Sequence, residues 1–107
     1  MKHGPIALVS RRTAVVVIAP SDRMRQKTLG NLEEVRAREG FIIAVGSEGD
    51  ADLARLADVF FELPPVDELL APLVAAAPLQ LIAYALAVAL GRDVDKPRNL
   101  AKSVTVE

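Results

Sequence analysis

Three short apolar runs, rich in β-branched and aromatic residues, constrain the fold of this chain more than any other feature. Ala14-Val-Val-Val-Ile-Ala19 is closed by Pro20, Phe41-Ile-Ile-Ala-Val45 runs into Gly46, and Val59-Phe-Phe-Glu-Leu63 stops at Pro64-Pro65. Runs of this length and composition, bounded by Gly and Pro, read as β-strands. The first two carry no alternating polar residue, which predicts strands buried on both faces, as in a parallel sheet.

The segments between them set the class. Ser21 offers a helix N-cap, with Asp22 well placed at the positive helix end. Met24, Leu29, Leu32 and Val35 then recur at helical spacing, and Gly40 reads as the C′ glycine that ends the helix. Gly46 to Gly49 is the expected loop after the second strand, and Asp50 to Ala57 a short helical or irregular crossover. Beyond the third strand, Val66 to Leu73 predicts a short helix. Pro78 suits the first turn of a separate long helix reaching about Leu90, which Gly91 terminates. Strand, helix, strand, crossover, strand, helix is the order of a parallel α/β layer with right-handed connections.

No charge falls between Leu69 and Leu90, a length that can span a bilayer. Pro72, Pro78, Gln80 and many alanines weaken that reading, and a buried core helix satisfies the same pattern. The expectation is therefore no membrane span. Nor is there a signal-peptide layout, since Gly4-Pro5 and then Ser10-Arg11-Arg12 interrupt the amino end. Thirteen basic residues against fourteen acidic ones give no electrostatic footprint for nucleic acid. With no cysteine and one histidine, a metal site would need oxygen ligands, and Asp93, Asp95, Glu33, Glu34 and Glu48 lack metal-site spacing. Solvated charge accounts for them, and no metal or cofactor is expected.

Three strands are few for such a sheet, and an edge strand made of Val and Ile invites association. The expectation is part of a domain, with both sheet faces needing further cover.

The end of the chain has another character. Asp93-Val-Asp-Lys-Pro-Arg-Asn-Leu-Ala-Lys-Ser-Val-Thr-Val-Glu107 cannot continue a helix past Pro97, yet Leu100, Val104 and Val106 give it apolar residues to dock with. Lys102 sits there between Ala101 and Ser103. This tail resembles the terminus of the glucosamine-6-phosphate synthases, the isomerizing glutamine–fructose-6-phosphate aminotransferases. Met1-Lys-His-Gly-Pro-Ile-Ala-Leu8, Asn31-Leu-Glu-Glu-Val-Arg-Ala-Arg38 and Pro78-Leu-Gln-Leu-Ile-Ala-Tyr84 resemble that family in the same order along the chain.

The resemblance implies a partial three-layer domain of the sugar-isomerase (SIS) type. Residues 1–107 would be the carboxyl-terminal portion of the second of two such domains, and 92–107 its active-site tail. It implies that Lys102 is an isomerase active-site lysine engaged in a Schiff base with the open-chain sugar. It further implies that His3 assists ring opening in a neighbouring subunit, and that Ala101 lies against the bound sugar. The chemistry suits these residues. A lysine amine freed of its charge attacks a carbonyl, and an imidazole moves protons near neutrality. From composition alone, an exposed lysine and a frayed terminal histidine are the readings to expect.

The family's glutamate base and its Ser/Thr/Gln phosphate grip lie outside this chain. Ser21 and Ser47 each follow a strand, but neither loop forms a Gly-rich cradle. Arg98 and Asn99 are expected to shape the tail's turn. The implied partners are a sugar phosphate (fructose 6-phosphate or glucosamine 6-phosphate), a second subunit, or the amino-terminal portion of the same enzyme, in the cytoplasm. The isolated chain is expected to be inactive. A non-catalytic SIS-type binding or assembly module is the alternative.

Overall fold

The computed structural model describes residues 3–96. Three parallel strands, β1 (Ala14–Ala19), β2 (Phe41–Ser47) and β3 (Val59–Leu63), lie side by side in the order β1-β2-β3. Ala14 pairs in register with Phe41, and Ile43 with Val59, so all three strands point the same way. The helices are α1 (Arg25–Arg36), α2 (Ala51–Leu56) and α3 (Ala71–Ala89), and a 3-10 turn over Pro5–Leu8 precedes β1.

The pleat divides the side chains between two layers. Val15, Val17 and Ala19 share a face with Ile42, Ala44 and Phe60, and pack with Ile6, Leu29, Leu32, Val35, Leu53 and Leu56. That face carries α1 and α2. On the opposite face Val45, Phe61 and Leu63 meet Ala75, Val74, Leu79 and Ile82 of α3. The expected three-layer α/β arrangement is therefore present.

β1 differs from expectation. Rather than being buried on both faces, its burial alternates, and Val16 and Ile18 are each 46% exposed on the α3 side. α3 lies over β2 and β3, and no described element covers β1 there. β2 also runs two residues beyond the expected Val45, taking in Gly46 and Ser47. A side chain at Gly46 would meet the buried Leu53 and the Ala19 carbonyl oxygen, so the absence of a Cβ lets the strand continue beneath α2.

The ends of α1 are corrected too. Ser21 is not its cap: the residue before the helix is Met24, no side chain caps its first turn, and the Ser21 N–H donates to Ser47 Oγ at 2.8 Å. Asp22 Oδ1 accepts from Met24 N at 2.8 Å, and the helix begins at Arg25. At the other end the left-handed residue is Glu39, with φ 60°, not Gly40. Gly40 is needed for close approach, since a Cβ there would press on Val9 and Val35 side chains.

Pro78 does not open a new helix but sits inside α3, which is continuous from Ala71 to Ala89. Pro72 occupies the favoured first turn. Packing of Val74, Leu79 and Ile82 on the sheet holds both sides of Pro78 together, against the loss of one helical hydrogen bond. Nor is α3 a buried core helix: only Ala71 and Ala75 are buried, and Leu73, Leu81, Tyr84, Leu86 and Leu90 face outward. It is long and apolar enough to cross a membrane, though one such helix also occurs in soluble cores. Gly91 (φ 62°) ends it as expected. Gly91 N donates to Val88 O, and Arg92 N to Ala87 O at 2.8 Å, the bonding of a glycine-terminated helix.

Candidate functional site

Parallel sheets present their ligand crevices at the carboxyl ends of the strands, where the loops diverge. Here that end holds an open depression of about 340 Å³ between the loops after β1, β2 and β3. Ser21, Asp22, Ser47, Glu48 and Glu68 supply its polar edge, and Leu63 with Pro64 and Pro65 its apolar wall. Ser47 Oγ already accepts from Ser21 N, so its hydroxyl hydrogen remains available to a ligand acceptor.

The electrostatics of this end are acidic. The Arg25 guanidinium beside it is bound by two carboxylates. Arg25 Nε reaches Asp50 Oδ2 at 2.7 Å, Nη2 reaches Asp50 Oδ1 at 2.6 Å, and Nη2 also reaches Asp52 Oδ2 at 3.1 Å. The Asp50 side chain is 3% exposed and caps α2 by accepting from Leu53 N at 3.0 Å. The Arg25 guanidinium holds the Asp50 carboxyl below the usual carboxylate range, with help from the Leu53 N–H and against desolvation. Asp50 in turn raises the Arg25 pKa above its ordinary value. This cluster joins the starts of α1 and α2 and engages the Arg25 guanidinium fully. Its one sequence signal was Asp50 at a cap position before a short helix.

A second carboxylate ties the opposite end of the sheet. Asp58 accepts from Arg36 Nη1 and from Ile42 N, at 2.7 and 2.8 Å, linking the end of α1 to β2 and to the entry of β3. Its pKa is lowered, chiefly by Arg36 and then by the Ile42 N–H. Glu39 likewise chelates Arg11 through both carboxylate oxygens.

The expected site residues are not assembled among the described residues. His3 is exposed at the start of the chain, before the 3-10 turn, and makes no hydrogen bond or ion pair with another described residue. Lys102 and Ala101, like Arg98 and Asn99, lie outside the described residues. The described root of the tail is a turn in which Asp93 Oδ1 accepts from Asp95 N and Lys96 N, at 2.9 and 3.0 Å. Beside it, Gln80, Tyr84, Arg92 and Lys96 help line an open groove of about 690 Å³ along the end of α3. No group of three or more His, Cys, Asp or Glu side chains suited to a metal ion occurs among the described residues.

Residues 1–90 match the family model described as the SIS domain. Over its full 107 residues the chain is 58% identical to the glutamine–fructose-6-phosphate aminotransferase (isomerizing) of Thermus thermophilus, and 53% identical to that of Aquifex aeolicus. It spans 18% of the length of each of these relatives. Its fold is similar to the carboxyl-terminal domain of glucosamine-fructose-6-phosphate aminotransferase from Francisella tularensis. There the TM-score is 0.79 at 37% identity, covering 89% of this chain and 27% of that one.

Proposed function

The chain belongs to the SIS domain family, and we propose that it works as the carboxyl-terminal part of the isomerase half of a glutamine–fructose-6-phosphate aminotransferase. The observation that carries this reading is identity of 58% sustained over all 107 residues, tail included. The reaction takes fructose 6-phosphate and glutamine-derived ammonia to glucosamine 6-phosphate, in the cytoplasm. Within it, Lys102 of the 92–107 tail supplies the amine that forms an imine with the open-chain sugar. His3 moves the proton that opens the ring, reaching the site of a neighbouring subunit, and Ala101 lies against the sugar.

Two requirements of the reaction fall to other polypeptide. A proton shift between C1 and C2 needs a base held over both carbons, and the phosphate needs donors or free cations. The crevice at the strand ends has an acidic edge and a neutralised Arg25, which does not suit a phosphate. The partners of this chain are therefore the preceding portion of the same enzyme, a second subunit and a sugar phosphate.

The test compares two proteins: this chain alone, and this chain joined in frame behind the part of the Thermus thermophilus relative that precedes the matched region. With fructose 6-phosphate and ammonia, the chain alone yields no glucosamine 6-phosphate above blank. The chimera turns over and loses activity on Lys102→Ala. Turnover by the chain alone, or an active Lys102→Ala chimera, overturns the reading.

A further inference from the structure

The amino ends of the strands carry another concavity. Val9, Ser10, Arg11, Arg12, Arg38 and Glu39 line an open groove of about 550 Å³, between the turn that enters β1 and the turn that enters β2. It lies at the opposite end of the sheet from the crevice edged by Ser21, Ser47 and Glu48. Three arginines and one glutamate meet there, in a chain whose formal net charge is -1. A groove of this volume is the size of a small-molecule site.

Both of its walls are tight turns. Thr13 N donates to Ser10 O at 2.9 Å, closing a turn with Arg11 and Arg12 at its tip. Thr13 Oγ1 accepts from Ser10 N and donates to Leu8 O, at 3.2 and 2.9 Å, and Arg12 N donates to Ser10 Oγ at 3.3 Å. On the other wall Arg38 N donates to Val35 O and Glu39 N to Arg36 O. Phe41 N donates to Thr13 O at 3.0 Å and joins the two walls. Arginines rooted in pinned turns lose less freedom on binding than arginines on a loose loop.

Glu39 is the informative residue of the six. Its φ of 60° is strained for a side chain with a Cβ, and among the described residues no other non-glycine residue has a positive φ. Glycine would hold that position without strain. The carboxylate kept there takes Nε and Nη2 of Arg11, one on each oxygen. Glu39 is thereby committed to Arg11, and among the described residues the side chains of Arg12 and Arg38 make no hydrogen bond or ion pair. The groove therefore keeps two uncompensated positive charges beside a third that is braced.

We propose that this groove binds the phosphate group of a small molecule, held by Arg12 and Arg38. A phosphate monoester near neutrality carries close to two negative charges, which balance the two free guanidiniums. The planar guanidinium fork also meets phosphate oxygens in pairs, as an ammonium does not. The rest of the volume, with Val9 at its side, admits the organic part of an ester. A nucleic-acid backbone needs a longer basic track than two free arginines supply.

The test titrates the full chain, by itself and within the chimera described above, with inorganic phosphate, glycerol 3-phosphate and adenosine monophosphate at constant ionic strength. Calorimetry should show saturable binding that weakens about tenfold or more in Arg12→Ala and in Arg38→Ala. Arg12→Lys, which keeps the charge without the fork, should recover part of the loss. Arg23→Ala, at the other end of β1, should leave the affinity unchanged. All these changes fall on exposed side chains, and a thermal melt of each variant separates lost binding from lost fold. Esters that bind tighter than the bare ion identify a phosphorylated metabolite as the ligand, and equal affinities identify inorganic phosphate; both support the site. Absent binding, or binding that survives Arg12→Ala and Arg38→Ala, overturns the proposal. So does equal competition by chloride, which reduces the effect to general screening. Binding by the isolated chain that vanishes in the chimera also overturns it, and gives the groove to the preceding polypeptide. No arm depends on turnover, so failure of the aminotransferase reading leaves this result untouched.

Discussion

Arg25 and Asp50 form a two-pronged pair, Nε to Oδ2 at 2.7 Å and Nη2 to Oδ1 at 2.6 Å, that fastens the start of α1 to the start of α2. Such a pair is planar and directional, so lysine cannot replace the arginine without losing one contact. Asp50 is also the cap of α2, so a single carboxylate serves both helices. Removing the arginine strands a buried charge. Arg25→Ala should therefore cost about 3 kcal/mol or somewhat more in urea unfolding, with Arg25→Lys recovering part of it. An Arg25→Ala protein as stable as the parent would show the pair to be dispensable.

The same carboxylate predicts the acid limb of stability. Asp50 and Asp58 both have pKa values lowered by folding. The unfolded chain therefore takes up protons first as pH falls. Their stabilisation is complete above the unfolded carboxylate value of about 4 and is lost progressively as pH drops through the lower folded values. Unfolding midpoints measured from pH 6 down to pH 2 should fall below about pH 4, and Asp50→Asn should flatten that fall while lowering stability near neutrality.

Two glycines should respond oppositely to the same substitution. Gly46→Ala sets a Cβ against Leu53, which is fully buried, and against the Ala19 carbonyl oxygen, so neither neighbour can yield freely. A loss of about 1–3 kcal/mol is expected for such overpacking. Gly30 is exposed within α1 and has nothing near its would-be Cβ. Gly30→Ala should add up to about 1 kcal/mol through helix propensity. Denaturant midpoints of the two variants, moving in opposite directions, are the check.

Within the chimera, His3→Ala should lower kcat by about 10²–10⁴-fold, the usual worth of a positioned acid–base group. Activity should return in part at higher pH if ring opening has become limiting, because hydroxide then substitutes for the lost base. An unchanged kcat would return His3 to the role of a plain exposed terminal residue.

Much of the layer structure was legible from local pattern. The three apolar runs became β1, β2 and β3, Asp50 opened a short helix, and Gly91 closed the long one. The misreadings each involve a partner distant in sequence. Ser21 looked like a cap, but the chain turns once more through Asp22 and Met24 before the helix begins, while the Ser21 N–H binds Ser47. Pro78 looked like a helix start, yet packing on Val45 and Leu63 carries the helix through it. The all-apolar β1 reads locally as doubly buried, whereas exposure depends on what lies beside the strand, which its own residues do not encode. The candidate chemistry was legible only through the family-like tail and His3; no spacing or charge pattern pointed to either. The Arg25–Asp50–Asp52 cluster passed unnoticed because its members lie up to 27 residues apart.

The partial packing of α3 makes it a cantilever. Its anchored part ends near Ile82, the last residue gripped by the sheet layer. The helix continues with its apolar sides open as far as Gly91, where the tail departs. Nine residues of helix span about 13 Å, so a tilt of about 5° at the anchor moves Gly91 by roughly 1 Å. Displacement on that scale can cost an active site about a hundredfold in rate. Whatever braces the outer part of α3 therefore fixes where the chain leaves the helix at Gly91, and a substitution at Leu86 or Leu90 would be felt as a displacement of that exit point.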